Sequence, residues 1–127
     1  MGNHIRHGKG SVRPYIYGNV DLPNFVREVF GANELERLDA PMGGCHLEAM
    51  IGGSIVVIEA AESFPPGAHP TTNSIYVYVE DVDQAYQRAI KIGATSIAAP
   101  ESKPYHERAC GVKDSFGNTW WIATYTG

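Results

Sequence analysis

An α+β fold, built from two βαβββ units that join into an incomplete curved barrel, is the architecture this sequence predicts. Three observations carry it: an internal repeat with a 62-residue offset, an amphipathic helix pattern in each copy, and three strand-like segments after each helix. The repeat comes first, because a missed repeat misassigns a whole fold. One copy reads YIYGNVDLPNFVREVFGAN and the other YVYVEDVDQAYQRAIKIGAT, and the offset that relates Val20-Asp21 to Val82-Asp83 also relates Gly31-Ala32 to Gly93-Ala94.

Each copy opens on a short β-rich stretch, residues 15–17 in the first and 75–79 in the second. Asp21 and Asp83 follow as expected helix N-caps, since a short carboxylate can accept from the orphan amides of a first turn. In the second copy Val82, Ala85, Tyr86, Ala89 and Ile92 recur at helical spacing, which gives one apolar face. Gly93 is read as the closing C-cap glycine. In the first copy Phe25, Val26, Val29 and Phe30 repeat the pattern, Pro23 is tolerated in the first turn, and Gly31 ends the helix.

The expected strands of the first unit then cover residues 34–38, 45–51 and 54–58, the last two joined by a Gly52-Gly53 hairpin. Those of the second cover 95–98, 108–112 and 118–124, with Asp114 to Gly117 as the final turn. Between the units lies Phe64-Pro65-Pro66-Gly67-Ala68-His69-Pro70, which neither a helix nor a central strand accepts. The predicted organisation is a flexible arm or cloning remnant over residues 1–11 and a single domain over 12–127. Within that domain, units 12–62 and 73–126 flank a linker, 63–72. One unit cannot cover its own sheet, so the two are expected to join with helices outside and a cleft within.

Composition narrows the function. With 127 residues and 43% hydrophobic content, one continuous core is possible. A formal net charge of -4 leaves no basic stripe to track phosphates, so no nucleic-acid partner is expected. The apolar run at residues 55–58 is far short of the roughly 20 residues that cross a bilayer, so no membrane partner is expected either. The amino terminus has no apolar stretch of signal-peptide type. Cys45 and Cys110 lack CxxC spacing and are too few for a disulfide scaffold, which points to a reducing cytoplasm.

Several side chains are candidates for chemistry. His46 and Glu48 stand two apart on a strand and therefore share a face, where a carboxylate can tune an imidazole as a general base. A second reading stays open, in which that face is ordinary polar exterior and Cys45, Leu47 and Ala49 face the core. The offset pairs His46 with Arg108 and Glu48 with Cys110. Arg108 could clamp a carboxylate or phosphate, or pair at the surface with Glu107 or Glu101. Neighbouring Trp120 and Trp121 must face opposite sides of their sheet. Trp121 or Trp120 in the cleft, with Tyr17, Tyr76 or Tyr78 and with Tyr105 on the adjoining loop, would make an aromatic wall for a planar or cationic ligand. Cys110 reads as a buried inert thiol, and Asp114 as a turn-fixing residue.

Four segments together, PYIYGNVDLPNFVREVFGAN, GGCHLEAMIGGSIVVIEA, NSIYVYVEDVDQAYQRAIKIGAT and HERACGVKDSFGNTWWIAT, resemble the glyoxalase/bleomycin resistance/extradiol dioxygenase (vicinal oxygen chelate) superfamily, in its PhnB-like branch. The resemblance covers residues 12–125 and is strongest in the Val-Glu-Asp-Val-Asp run and in the Asp-x-Phe-Gly-x-x-Trp turn. It implies the glyoxalase/bleomycin resistance/dihydroxybiphenyl dioxygenase-like fold and a homodimer. It also implies a divalent metal held by His, Gln or Glu at four inward strand positions. Matched onto this chain those positions are Tyr15, Val57, Ser74 and Trp121, none a good ligand, so no metal and no cofactor is expected. The implied function is metal-free binding of a small organic molecule, as in bleomycin-resistance proteins. The alternative is a glyoxalase- or dioxygenase-like lyase or isomerase using His46 and Glu48, with a divalent metal completed by His106 or Glu107.

Overall fold

Apolar residues alternate along the central strands of each sheet and recur at helical spacing in both helices, so each sheet buries one face against helix. The computed structural model describes residues 4–41 and 43–127; residues 1–3 of the expected arm lie outside it. The first unit comprises β1 (Tyr15–Gly18), α1 (Leu22–Phe30), β2 (Asn33–Asp39), β3 (Gly44–Ile51) and β4 (Ser54–Ala61). The second comprises β5 (Ser74–Tyr78), α2 (Val82–Lys91), β6 (Thr95–Lys103), β7 (Glu107–Lys113) and β8 (Thr119–Tyr125). Two four-stranded sheets result, ordered β1-β4-β3-β2 and β5-β8-β7-β6. In each the outer pair β1/β4 or β5/β8 is parallel and the remaining pairs are antiparallel. The βαβββ order thus occurs twice, and neither sheet closes on itself.

The helix ends differ in detail from the expected ones. Asp21 precedes α1 but makes no cap bond; its carboxylate accepts instead from Ser115 Oγ at 2.8 and 2.9 Å. Asp81, not Asp83, caps α2, accepting from the Gln84 amide at 3.1 Å. Asp83 lies within the first turn. Gly31 ends α1 at φ 66°, and Gly93 follows α2 at φ 103°, backbone that a side chain would strain. Strand β6 continues past the expected end at residue 98, through Pro100, because it is an edge strand with a register break between Ala98 and Glu101. A residue without an N–H is tolerated there.

The core is shared between the units. Phe25, Val26 and Val29 of α1 pack with Ala85 and Ala89 of α2, with Leu47 and Ile58 from the first sheet, and with Val112, Trp120 and Ile122 from the second. The Phe25 and Phe30 rings stand 5.6 and 5.2 Å from Trp120, so α1 reaches the second sheet directly. Arg88 of α2 donates in return to the Val29 carbonyl at 3.0 Å. Each sheet is left with a helix side, which fills this core, and an open side.

Candidate functional site

On the first sheet the period-two alternation of β3 turns Cys45, Leu47 and Ala49 into the core and His46 and Glu48 to the open side. Glu59 of β4 stands opposite His46 in register. His46 Nδ1 is hydrogen-bonded to Glu59 Oε1, and Tyr15 OH donates to the same oxygen at 2.8 Å. The phenol of Tyr15 is thereby held protonated well above the ordinary range, first by burial and then by the Glu59 carboxylate. His46 Nε2 lies 3.9 Å from Glu48 Oε2. Glu48 itself is nearly buried and accepts from Arg13 Nη1 at 2.8 Å. Arg13 also donates to the Gly10 and Lys9 carbonyls at 2.8 and 2.9 Å, and Arg6 pairs with Glu36. The segment ahead of β1 therefore lies across one end of this face.

Beside His46 and Glu59 opens a hollow of about 820 Å³, lined also by Leu38, Ala61 and, from the linker, Phe64 and Pro65. Phe64 stands edge-on to Tyr17, with ring centres 5.4 Å apart, and 5.9 Å from Phe116. Glu59 and Phe64 escaped the sequence reading. The alternation Val57, Glu59, Ala61 carries the signal for Glu59, but only if the strand is allowed to run past Ile58.

On the second sheet the 62-residue offset slips. Glu107, not Arg108, faces the open side; Arg108 faces α2 and binds Asp83 through Nε and Nη2 at 2.8 and 2.9 Å. Arg108 is thus not a ligand clamp on the open face, and Glu107 and Glu101 are not its partners. A one-residue shift exchanges the two faces of a strand, and β6 is two residues longer than β2 and has two register breaks against β7. Cys110 likewise faces the core, where burial pushes its thiol up to about 11. Trp120 is fully buried among α1 aromatics and leaves the open face to Trp121. The Trp121 indole lies over Gly111, where an added Cβ would meet it at 2.5 Å, and donates to Ser74 Oγ at 3.2 Å. Tyr76, Tyr105 and Trp121 border a second cavity of about 320 Å³. Tyr76 and Tyr78 both donate to the Glu107 carboxylate, which holds that carboxyl below its usual range and both phenols above theirs.

The donors present do not fit the metal that the fold implies. Of the four expected inward positions, the Tyr15 hydroxyl is committed to Glu59, Val57 is alkyl, and Ser74 accepts the Trp121 indole. Neither His106 nor Glu107 forms a donor cluster with His46 and Glu48 among the described residues. Among the described residues His7, Glu36 and Glu48 bring donor atoms within 4.8 Å of one another. Arg6 and Arg13 already occupy those carboxylates, and a guanidinium repels a cation.

Paired βαβββ units with a shared helix core and polar, aromatic open faces define a superfold that hosts many chemistries. Residues 23–122 match the Glyoxalase/Bleomycin resistance protein/Dioxygenase superfamily, and the chain belongs to it. The uncharacterized protein Mb0911c of Mycobacterium bovis is 33% identical over 108 residues, 76% of this chain and 70% of that protein. The uncharacterized protein Rv0887c of Mycobacterium tuberculosis matches equally over 62% of its own length, so this chain spans less than two thirds of that relative. Among solved structures, TioX of Micromonospora sp. ML1 is 25% identical with a TM-score of 0.68, covering 91% of this chain and 95% of that one. The fosfomycin resistance protein FosX of Listeria monocytogenes shares the fold at 16% identity and a TM-score of 0.67, covering 93% and 94%. A PhnB protein of Bacillus cereus does so at 14% and 0.68, covering 90% and 98%. No helix among the described residues is long and apolar enough to cross a membrane.

Proposed function

We propose that this chain binds a small organic molecule on the open sides of its sheets without a metal centre, as a bleomycin-resistance-like member of the PhnB-like branch. One observation carries the reading: the 820 Å³ hollow lined by His46, Glu59 and Phe64, whose Glu59 carboxylate is hydrogen-bonded to His46 and also takes the Tyr15 hydroxyl. A pocket with apolar walls and a few converging polar groups is the usual form of a small-molecule site. Tyr17 stands edge-on to Phe64, while Tyr76, Tyr105 and Trp121 offer an aromatic wall on the other sheet; Trp120 and Arg108 serve the core and α2 instead. A second copy of the chain completes the cleft as a homodimer. Exposures of 48% at Tyr76, 57% at Tyr105 and 63% at Tyr125 support that, because aromatic surface of this extent on one face favours a covering partner. The organisation is one domain over residues 12–127 with a linker at 63–72. Two buried free cysteines suit a cytoplasmic location.

Calorimetric titration of metal-free protein with bleomycin, fosfomycin and aromatic antibiotics tests the reading. Saturable binding, weakened by Phe64→Ala, is expected. Binding that appears only after a divalent metal is added would overturn it.

A second reading is favoured by the His46 geometry. An imidazole fixed by Glu59 at Nδ1, with Nε2 toward Glu48, is oriented as a general base for a lyase or isomerase.

A further inference from the structure

Glu107 is 9% exposed, and its polar partners among the described residues are two neutral phenols. Arg108 pairs with Asp83 on the far side of the sheet, and Lys103, which stands opposite Glu107 in register and lines the cavity beside Tyr76 and Trp121, gives its ammonium to Glu101 at 2.6 Å. Such a shielded carboxylate without a counter-ion is unfavourable unless neutral donors or a cation compensate it. The two phenol donors supply that compensation. To reach it from β5, Tyr76 and Tyr78 cross β8 above Ala123, which is left 0% exposed on the open side. Their rings meet at 60° with centres 5.4 Å apart, and Trp121 lies flat over Gly111 beside Tyr76. Small residues beneath and large rings above thus plate the second sheet with aromatic surface over a carboxylate that makes no salt bridge among the described residues, Lys103 opposite it being paired with Glu101. Ring faces carry negative potential and attract cations, most strongly where a carboxylate lies behind them.

We propose that the Tyr76–Tyr78–Trp121 surface with Glu107 is a recognition site for an organic cation bearing a flat or methylated head, such as an aromatic ammonium. This rests on the small-molecule reading above and gives its ligand a chemical class. Charge and stacking act together there: the rings bind the ligand's plane, and Glu107 selects its charge.

Calorimetry with N-methylquinolinium and its neutral counterpart quinoline tests the assignment. Wild-type protein is expected to bind the cation at least about tenfold more tightly, a charge-assisted increment of one decade. Glu107→Gln should abolish that preference while quinoline binding persists. If Glu107→Gln does not fold, the single Tyr78→Phe variant keeps both rings, the Tyr76 donor and the carboxylate, and must retain the preference. Equal binding of both probes, unmoved by Glu107→Gln, overturns the cation assignment and leaves the small-molecule reading standing. Failure of both probes, together with failure of every compound in the antibiotic panel, overturns the two together.

Discussion

The indole of Trp120 donates to Asp114 Oδ2 at 2.9 Å, tying the turn between β7 and β8 to the aromatic core around α1. The same carboxylate accepts the amides of Phe116, Gly117 and Asn118 at 3.0 Å and the Asn118 side chain at 2.9 Å. Asn118, fully buried, passes the connection on to the Tyr17 carbonyl of β1 at 2.7 Å. Removing the carboxylate strands several shielded donors at once, so Asp114→Ala should lose about 2–4 kcal/mol of stability. Urea unfolding followed by tryptophan fluorescence measures it, and a loss below about 1 kcal/mol would show that water replaces the acceptor freely.

Glu107 and its two phenols predict a pH signature on both flanks. The carboxyl's folded value is lowered, by Tyr76 and then Tyr78, so its contribution is complete above the ordinary carboxylate range and is lost as pH falls through the folded value. The phenols' folded values are raised, chiefly by the bond to Glu107, so theirs is complete at neutral pH and lost as pH rises through those values. Ultraviolet titration should find Tyr76 and Tyr78 ionising later than free tyrosine, and earlier in Glu107→Gln. An unchanged curve in that variant would mean the hydrogen bonds do not persist in solution.

Gly111 makes room for Trp121. Any Cβ there meets the indole at 2.5 Å, so the ring must move off the sheet to admit it. Gly111→Ala should therefore cost about 1–3 kcal/mol through overpacking and lift the ring from the sheet. The expected readout is a shifted tryptophan emission together with a lower unfolding midpoint. Wild-type emission in the variant would place the ring elsewhere.

Most of the fold was legible because the repeat carries local signals that agree with the global pattern: Val-Asp before each helix, Gly-Ala after it, alternating strands beyond. His46 and Glu48 were legible as a same-face pair for the same reason. What failed was register. The longer, twice-broken strand β6 shifted the offset between Gly93 and β7, so that the offset selected Arg108 while Glu107 held the open face. Asp83 was read as a cap because the repeat aligned it with Asp21, although Asp81 has the extended backbone a cap requires. Glu59 was hidden by the apolar run before it. Phe64 belongs to a linker, and no periodicity reports where a linker folds back.

The Arg108–Asp83 pair bears on the same register. Both side chains are about half exposed, and exposed ion pairs contribute little. Arg108→Ala should leave the unfolding midpoint nearly unchanged and leave ligand affinity unchanged, since its side chain is on the helix side. A marked loss of ligand affinity would return Arg108 to the binding face.

His46 decides between the two functional readings. It is 39% exposed at the side chain, has Glu59 at Nδ1, and lies 3.9 Å from Glu48 at Nε2. A binding role uses the imidazole as one polar wall among several, so His46→Ala should weaken ligand binding modestly and release no metal. A metalloenzyme role needs it as a ligand, with Glu48 freed from Arg13. Elemental analysis of protein lacking residues 1–11, beside His46→Ala and Arg13→Ala, separates them. Metal at or below about a tenth of stoichiometry in all three is expected, because a two-donor site without a third ligand binds weakly. Stoichiometric zinc or manganese in the parent, lost in His46→Ala and strengthened in Arg13→Ala, would establish the enzyme reading instead.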